Sequence, residues 1–449
     1  MGKLRFTAAI IAAKILIKGI GVASGNRGTN RPGEIALKIC PDLIKRVEGI
    51  CGERTIFVTG TNGKSTTVNL MAHVLETAGY TVACNRSGAN MIAGVATALI
   101  RECSLSGKLK ADYVLMETDE RYLPLIMKQL PAKHLCITNI QKDQVQRNGE
   151  PHIIMDKIKG VISDDMTVYI NNDEPNACSL GGYAGKCISY GVSINEKSFE
   201  KEDDFFAVTM PCPVCHSPVR FHRYNIDNIG KFVCEGCGYG NGEKADCTAE
   251  NISFEGRTFE AEGVTYPFTY NTPYFLYCYI SVLAMAREAG IRSETLAEAF
   301  ESFVNVKGRT RQTQRGDRNI KFIKMKQENS ETLQSSVNQI AQDDSEKIFM
   351  LRLDEWLDFF PPYVNNCYLY DCDFRGLIDS GISELFCIAE ASSGEIGLRM
   401  LYDGAKPEQL VMMKAKDPAK VADRLRDLKC GNIYMVEEVA EMKRVEELL

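Results

Sequence analysis

The sequence predicts an α/β fold with a mainly parallel sheet, and three features predict it. Short β-branched runs alternate with helical stretches from Thr55 to about Gly290. A glycine-rich loop follows the first of those runs directly and opens a helix. A second alternating pattern starts near Lys307 and continues to the C-terminus. The chain has 449 residues, more than the roughly 250–300 that one hydrophobic core sustains, so several domains are expected.

Residues 1–46 read as an N-terminal helix and opening segment. Leu4, Ala8, Ile11, Ala12, Ile15 and Leu16 recur at helical spacing and describe one apolar face, expected to pack against the body or a partner. Membrane-surface contact and a secretory signal are the alternatives for this helix. Lys14 and Lys18 leave its apolar run too short and too charged for a membrane span. Residues 47–306 form the first α/β domain, with strands at Thr55–Thr59, Tyr113–Glu117, Leu135–Thr138 and Thr167–Asn171. Within it an all-turn, cysteine-rich insertion occupies about 208–246, and a buried helix spans Tyr274–Gly290. Residues 307–449 form a Rossmann-like C-terminal domain with strands at Ile320–Met325, Lys347–Leu353, Cys367–Asp371 and Glu384–Ile388.

Composition narrows the function classes. A share of 45% apolar and 25% charged residues is that of an ordinary globular protein. The net charge of −6 provides no basic field for a nucleic-acid backbone. Seventeen cysteines, an odd number spread along a long chain, fit a reducing cytoplasm with one clustered metal site better than a disulfide framework.

The strongest motif is Thr59-Gly-Thr-Asn-Gly-Lys-Ser-Thr-Thr67. Its glycines let backbone N–H groups approach phosphate oxygens, and the helix beginning behind it adds its positive end. Gly60, Thr61, Asn62, Gly63, Lys64, Ser65 and Thr66 are the expected nucleotide-binding residues. Lys64, taken as an exposed loop side chain, would reach the outer phosphates, and the Ser65 hydroxyl would ligate Mg²⁺. Glu117 ends the strand Tyr113–Glu117 and can complete the Mg²⁺ shell; Asp119 and Glu120 follow it. Asn139 and Asp143, then Asn171, and then Ser189 mark further polar strand ends on that edge, and Asn139 and Asn171 join the expected nucleotide-binding residues. Cys212-Pro-Val-Cys215 and Cys234-Glu-Gly-Cys237 are two C-x-x-C knuckles whose four thiolates can close a structural Zn²⁺ site. His216 and His222 lie nearby and read as loop residues without metal.

Together these residues resemble the central ATPase domain of the Mur ligase family. Gly60–Thr66 looks like its phosphate loop, and Glu117 falls at its magnesium-binding glutamate. Thr138-Asn139 followed by Asp143-Gln144 resembles a Thr-Asn…Asp-His stretch, with Gln144 in place of the His. Gln144, Arg147, Gly149-Glu150 and the Cys₄ insertion look like the MurT branch. Arg31-Pro-Gly33 and Ile35–Lys38 extend the likeness upstream. Downstream it thins: Tyr270-Asn271, Gly308-Arg309, Leu398-Arg399 and Tyr402 match, while Lys326-Gln327-Glu328 replaces a Lys-Asn-Pro stretch.

The resemblance implies a ligase that uses ATP and Mg²⁺ and carries structural Zn²⁺. Such proteins pair with a GatD-type glutamine amidotransferase subunit. The pair amidates the D-glutamate α-carboxylate of lipid II, a lipid-linked peptidoglycan precursor, so the chain is expected in the cytoplasm, peripheral at the inner membrane face. Lys64 would act on the transferring phosphoryl group. An aspartate after the strand Lys347–Leu353 would complete the partner's Cys–His pair, with Asp358 the first choice and Asp354 the second; both also fit as helix-capping or surface acids. Two other readings stand beside this one: a divergent paralogue that binds nucleotide and partner, and an amino-acid ligase like the folylpolyglutamate synthases.

Overall fold

The computed structural model of the protein describes residues 2–24, 30–86, 88–200, 210–226, 228–242, 244–270, 272–304, 310–326, 328–353, 355, 357, 362, 364, 366–415, 417–428 and 431–449. Asp354, Trp356 and Asp358 lie outside the described residues, as do Asn271, Gly308, Arg309 and Gln327. The chain divides into two compact units. Of the described residues, one unit holds 2–141, 148–200 and 210–304, and the other holds 142–147 and 310–449.

The first unit is built on nine strands. In chain order these are β1 (Thr55–Thr59), β2 (Val82–Cys84), β3 (Tyr113–Glu117), β4 (His134–Ile137), β5 (Thr167–Asn171) and β6 (Lys186–Val192). After a separate two-stranded hairpin, β7 (Val219–Ile226) and β8 (Ile229–Cys234), come β9 (Cys247–Ser253), β10 (Thr258–Ala261) and β11 (Val264–Pro267). The sheet order is β11-β10-β9-β6-β5-β4-β1-β3-β2. Pairs from β2 through to β9 are parallel, and β10 and β11 add an antiparallel edge.

β1 and β3 are buried along their whole length, which explains their unbroken apolar or β-branched character: helices cover both faces of the sheet. Helices Lys64–Thr77, Pro273–Glu288 and Ser293–Ser302 share one core with one sheet face. The opposite core takes helices Gly2–Ser24 and Ile92–Glu102. The register aligns Val58 with Glu117 and Thr59 with Ile137, so β1, β3 and β4 end side by side.

Three expectations are corrected. The N-terminal helix buries Phe6, Ala9, Ile10 and Ala13 rather than the stripe read from the sequence, and Leu4, Ile11 and Ile15 of that stripe are 78%, 41% and 65% exposed. Apolar residues surround this helix, so periodicity alone could not fix which face meets the body. The cysteine-rich insertion is not all turn; it contains the antiparallel β7–β8 hairpin. Cys367–Tyr370 is a short helix, not a strand, and follows Asn366.

The second unit has a six-stranded sheet. Its strands are β12 (Thr310–Arg315), β13 (Arg318–Met325), β14 (Lys347–Arg352), β15 (Ile382–Ile388), β16 (Leu410–Met413) and β17 (Asn432–Glu438). The order is β12-β13-β17-β14-β15-β16, antiparallel only between β12 and β13. Segment Lys142–Arg147 belongs to this unit: Asp143 pairs with Lys326 Nζ at 2.5 Å and accepts from Asn329 Nδ2 at 3.1 Å.

Candidate functional site

The loop after β1 is shaped by two glycines. Gly60 has φ +127°, and a Cβ there would strike Thr138 Oγ1 and lie 2.7 Å from Asn139 O. Gly63, with φ +89°, precedes the helix Lys64–Thr77 in the left-handed region that glycine enters without penalty. Residues from the end of β4 hold the loop between them. Thr61 N donates to Asn139 O at 2.8 Å, and Asn62 N donates to Asn139 Oδ1 at 2.8 Å. In return Asn139 Nδ2 and Thr138 Oγ1 donate to Asn62 O at 3.0 and 2.7 Å. Gln141 closes the far side, accepting from Asn62 Nδ2 at 3.1 Å.

Two acids stand beside the loop. Ser65 Oγ donates to Glu117 Oε2 at 2.7 Å, and Glu117 also accepts from Asn90 Nδ2 at 3.3 Å. Asn85, just past β2, fixes the Glu117 backbone from both sides: its Nδ2 donates to Glu117 O and its Oδ1 accepts from Glu117 N, each at 2.8 Å. Glu117 is only 3% exposed. Burial raises its carboxyl above the ordinary glutamate value and nearby Glu120 adds to this, while Lys64, Ser65 and Asn90 pull the other way. Lys64 is not an exposed loop side chain: it is 7% exposed. Its ammonium donates to Gly60 O, to Thr61 O at 3.3 Å and to Glu120 Oε1 at 3.0 Å.

Of the residues singled out in the sequence, Gly60–Ser65 and Glu117 come together here. Asn139 is present as a brace for the loop backbone. Asn171 lies one strand further back and is buried; its Nδ2 donates to Thr138 O at 3.1 Å and its Oδ1 accepts from Asp173 N at 3.1 Å, so it braces the strand end that braces the loop. Ser189 turns instead to Asp246, its Oγ donating at 2.7 Å. Glu120, Asn85, Asn90 and Gln141 complete the cluster without having been assigned to it. The usable signal was local: Asn85 directly follows a strand, and Glu120 shares an acidic run with Glu117.

The four cysteines form the second cluster. The Sγ atoms of Cys212, Cys215, Cys234 and Cys237 all lie within 4.8 Å of one another. Cys212 to Cys237 measures 3.8 Å and Cys215 to Cys234 3.5 Å. A tetrahedral Zn–S₄ site with bonds of about 2.3 Å requires S···S separations of about 3.8 Å, so the residues fit that ion. Neither His216 nor His222 belongs to this cluster among the described residues. The hairpin that carries it is tied to the sheet by buried Asp173. Asp173 accepts from Asn241 Nδ2 at 3.0 Å, Tyr277 Oη at 2.9 Å and Val192 N at 2.7 Å, and its carbonyl accepts from Gly230 N at 2.8 Å.

A glycine-rich loop after the first strand of a parallel sheet, with a lysine and two acids gathered on it, is the arrangement common in nucleotide-binding α/β domains. The Mur ligase middle domain profile matches residues 58–234. The MurT subunit of lipid II isoglutaminyl synthase from Staphylococcus aureus (strain COL) is 26% identical over 403 residues, 88% of each chain. Its counterpart from Streptococcus pneumoniae (strain ATCC BAA-255 / R6) is 25% identical over 429 residues, 94% of this chain and 92% of that one. Among solved structures, a pseudomurein peptide ligase type C from Methanothermus fervidus aligns with a TM-score of 0.67 at 16% identity, covering 94% of this chain and 85% of that one. A MurF ligase from Thermotoga maritima in complex with ADP aligns at 0.57 and 15%, covering 92% and 83%. These two likenesses speak for the fold. The chain is thus similar to the ATP-dependent Mur ligases through their middle domain and, along most of its length, to the MurT subunits among them.

Proposed function

We propose that the chain is the synthetase subunit of a two-protein enzyme that amidates the D-glutamate α-carboxylate of lipid II during peptidoglycan synthesis. The observation that carries this reading is the likeness to MurT subunits along 88–94% of the chain, with loop, acids and cysteine cluster all within it. A carboxylate does not react with ammonia, so it must first be activated. One carboxylate oxygen attacks the γ-phosphorus of ATP, the bond from that phosphorus to the bridging oxygen breaks, and ADP leaves. Ammonia then attacks the carbonyl carbon of the acyl phosphate. The C–O bond to phosphate breaks, the nitrogen sheds a proton, and amide and inorganic phosphate result.

The chain's own groups suit the first step. Lys64 exchanges Glu120 for phosphate oxygens and balances charge on the transferring group. The backbone N–H groups of Gly60–Ser65 orient the phosphates. Mg²⁺, when bound, would be held by Ser65 and Glu117 and would neutralise further phosphate charge. Ammonia is protonated in neutral water, so a GatD-type glutaminase is the proposed source, with Asp358, or failing that Asp354, orienting its histidine. Depletion of the chain in cells, followed by mass spectrometry of muropeptides, tests the reading. Loss of the α-amide is expected, and unchanged amidation would rule the function out.

A further inference from the structure

We propose that the solvent-facing side of the N-terminal helix docks on an anionic phospholipid bilayer. Helix Gly2–Ser24 is about 34 Å long and carries two apolar stripes. The body covers one of them, Phe6, Ala9, Ile10 and Ala13. On the opposite side Leu4, Ile11 and Ile15 follow one another at spacings of seven and four residues, which sets them in a line on one face. Ala8 fills the line and is also exposed.

Charge names the occupant. The first 33 residues contain Lys3, Arg5, Lys14, Lys18, Arg27 and Arg31 and no acid, although the whole chain is net −6. Lys3 and Lys18 are exposed, and Lys14 is secured alongside, its Nζ donating to Arg101 O at 3.2 Å. A row of aliphatic side chains flanked by lysines is the pattern of a helix lying in the headgroup layer. A protein partner would be poorly served, since a standard interface buries about 800 Å² per side and this stripe is one residue wide. No described helix is long and apolar enough to cross a membrane, so this one would lie on the surface. The inference does not depend on the reaction proposed above.

Co-sedimentation of the full chain with vesicles of phosphatidylcholine, with and without phosphatidylglycerol, tests it. Binding is expected only with phosphatidylglycerol and is reversed by high salt. Leu4→Glu/Ile15→Glu should lose at least about tenfold in vesicle affinity. Lys3→Gln/Lys18→Gln should lose about fivefold per cation. All four positions are exposed, so nucleotide binding should be unchanged and report an intact fold. Three results would overturn the proposal: no binding to either vesicle, undiminished binding by both double variants, or a solution dimer that Leu4→Glu/Ile15→Glu dissociates while vesicles have no effect.

Discussion

At the scale of single residues, Lys64 and Glu120 form a pair that solvent scarcely reaches, with side chains 9% and 10% exposed. Removing one member of such a pair leaves the other's charge buried alone. Lys64→Ala should therefore lower nucleotide turnover at least about 100-fold and destabilise the first unit by about 3 kcal/mol. Adding Glu120→Gln should restore much of the stability and none of the turnover. Unfolding by urea beside an ADP-release assay separates the two effects, and a single variant that keeps turnover would remove Lys64 from the chemistry. Glu174 supplies a pH test. Its buried carboxylate accepts from Ile140 N, Asn176 N and Ala177 N at 2.9, 3.2 and 2.8 Å, yet burial outweighs these bonds and pushes the group up to about 7. Between the ordinary value of 4.5 and about 7 the folded chain keeps a proton that the unfolded chain has lost. Stability therefore falls as pH rises through that window, by about 3 kcal/mol in all. The destabilisation caused by Glu174→Gln should be larger near pH 5 than near pH 8 by up to that amount. Equal destabilisation at the two pH values would mean that Glu174 does not titrate there.

At the scale of elements, the four thiolates set the fate of the β7–β8 hairpin. Structural zinc in small domains contributes about 10–16 kcal/mol of apparent binding energy. One zinc per chain is expected from elemental analysis, and Cys234→Ser should abolish it and speed amide exchange across Val219–Cys234. Protection that survives the substitution would show the hairpin to be held by Phe221, Phe232 and Tyr239 packing instead. Elements also show how far sequence reasoning reaches. The strands ending at Thr59, Glu117 and Asn171 were legible because each is a short β-branched or aromatic run closed by polar residues. The first helix was legible in extent but not in orientation, since Leu4 and Phe6 are equally apolar and only the neighbouring helices choose between them. Cys367–Tyr370 misled because its aromatic content favours strand, while tertiary packing of Tyr368 and Leu369 decided for helix.

At the scale of the whole molecule, the glycine-shaped loop after β1 could be located directly because its pattern is local, within Gly60–Thr66. Glu120 meeting Lys64 across 56 positions could not, because that contact exists only once β1 and β3 are paired. The proposed division of labour with a glutaminase gives the last prediction. Asp358→Asn removes a charge but little volume. Glutamine-driven amidation should then fall by at least about 100-fold, whereas amidation fed by concentrated ammonium should persist. Loss of both routes would place Asp358 in the synthetase reaction or the fold, and loss of neither would remove it from the partner's site.

β6 and β9 are adjacent and parallel, yet the chain between them, residues 193–246, contains the cysteine-bearing hairpin and no helix among the described residues. Neighbouring parallel strands cannot be joined by a tight turn; the chain must travel back along the sheet, usually through a helix of a dozen or more residues. Here the segment that carries the cysteine-bearing hairpin stands in the chain where a helix stands elsewhere. It cannot be excised and replaced by two linking residues, because β9, and with it β10 and β11, would be left pointing the wrong way. The ribbon is thus a structural splice, through which the antiparallel edge of the sheet is attached to the strands that carry the phosphate loop.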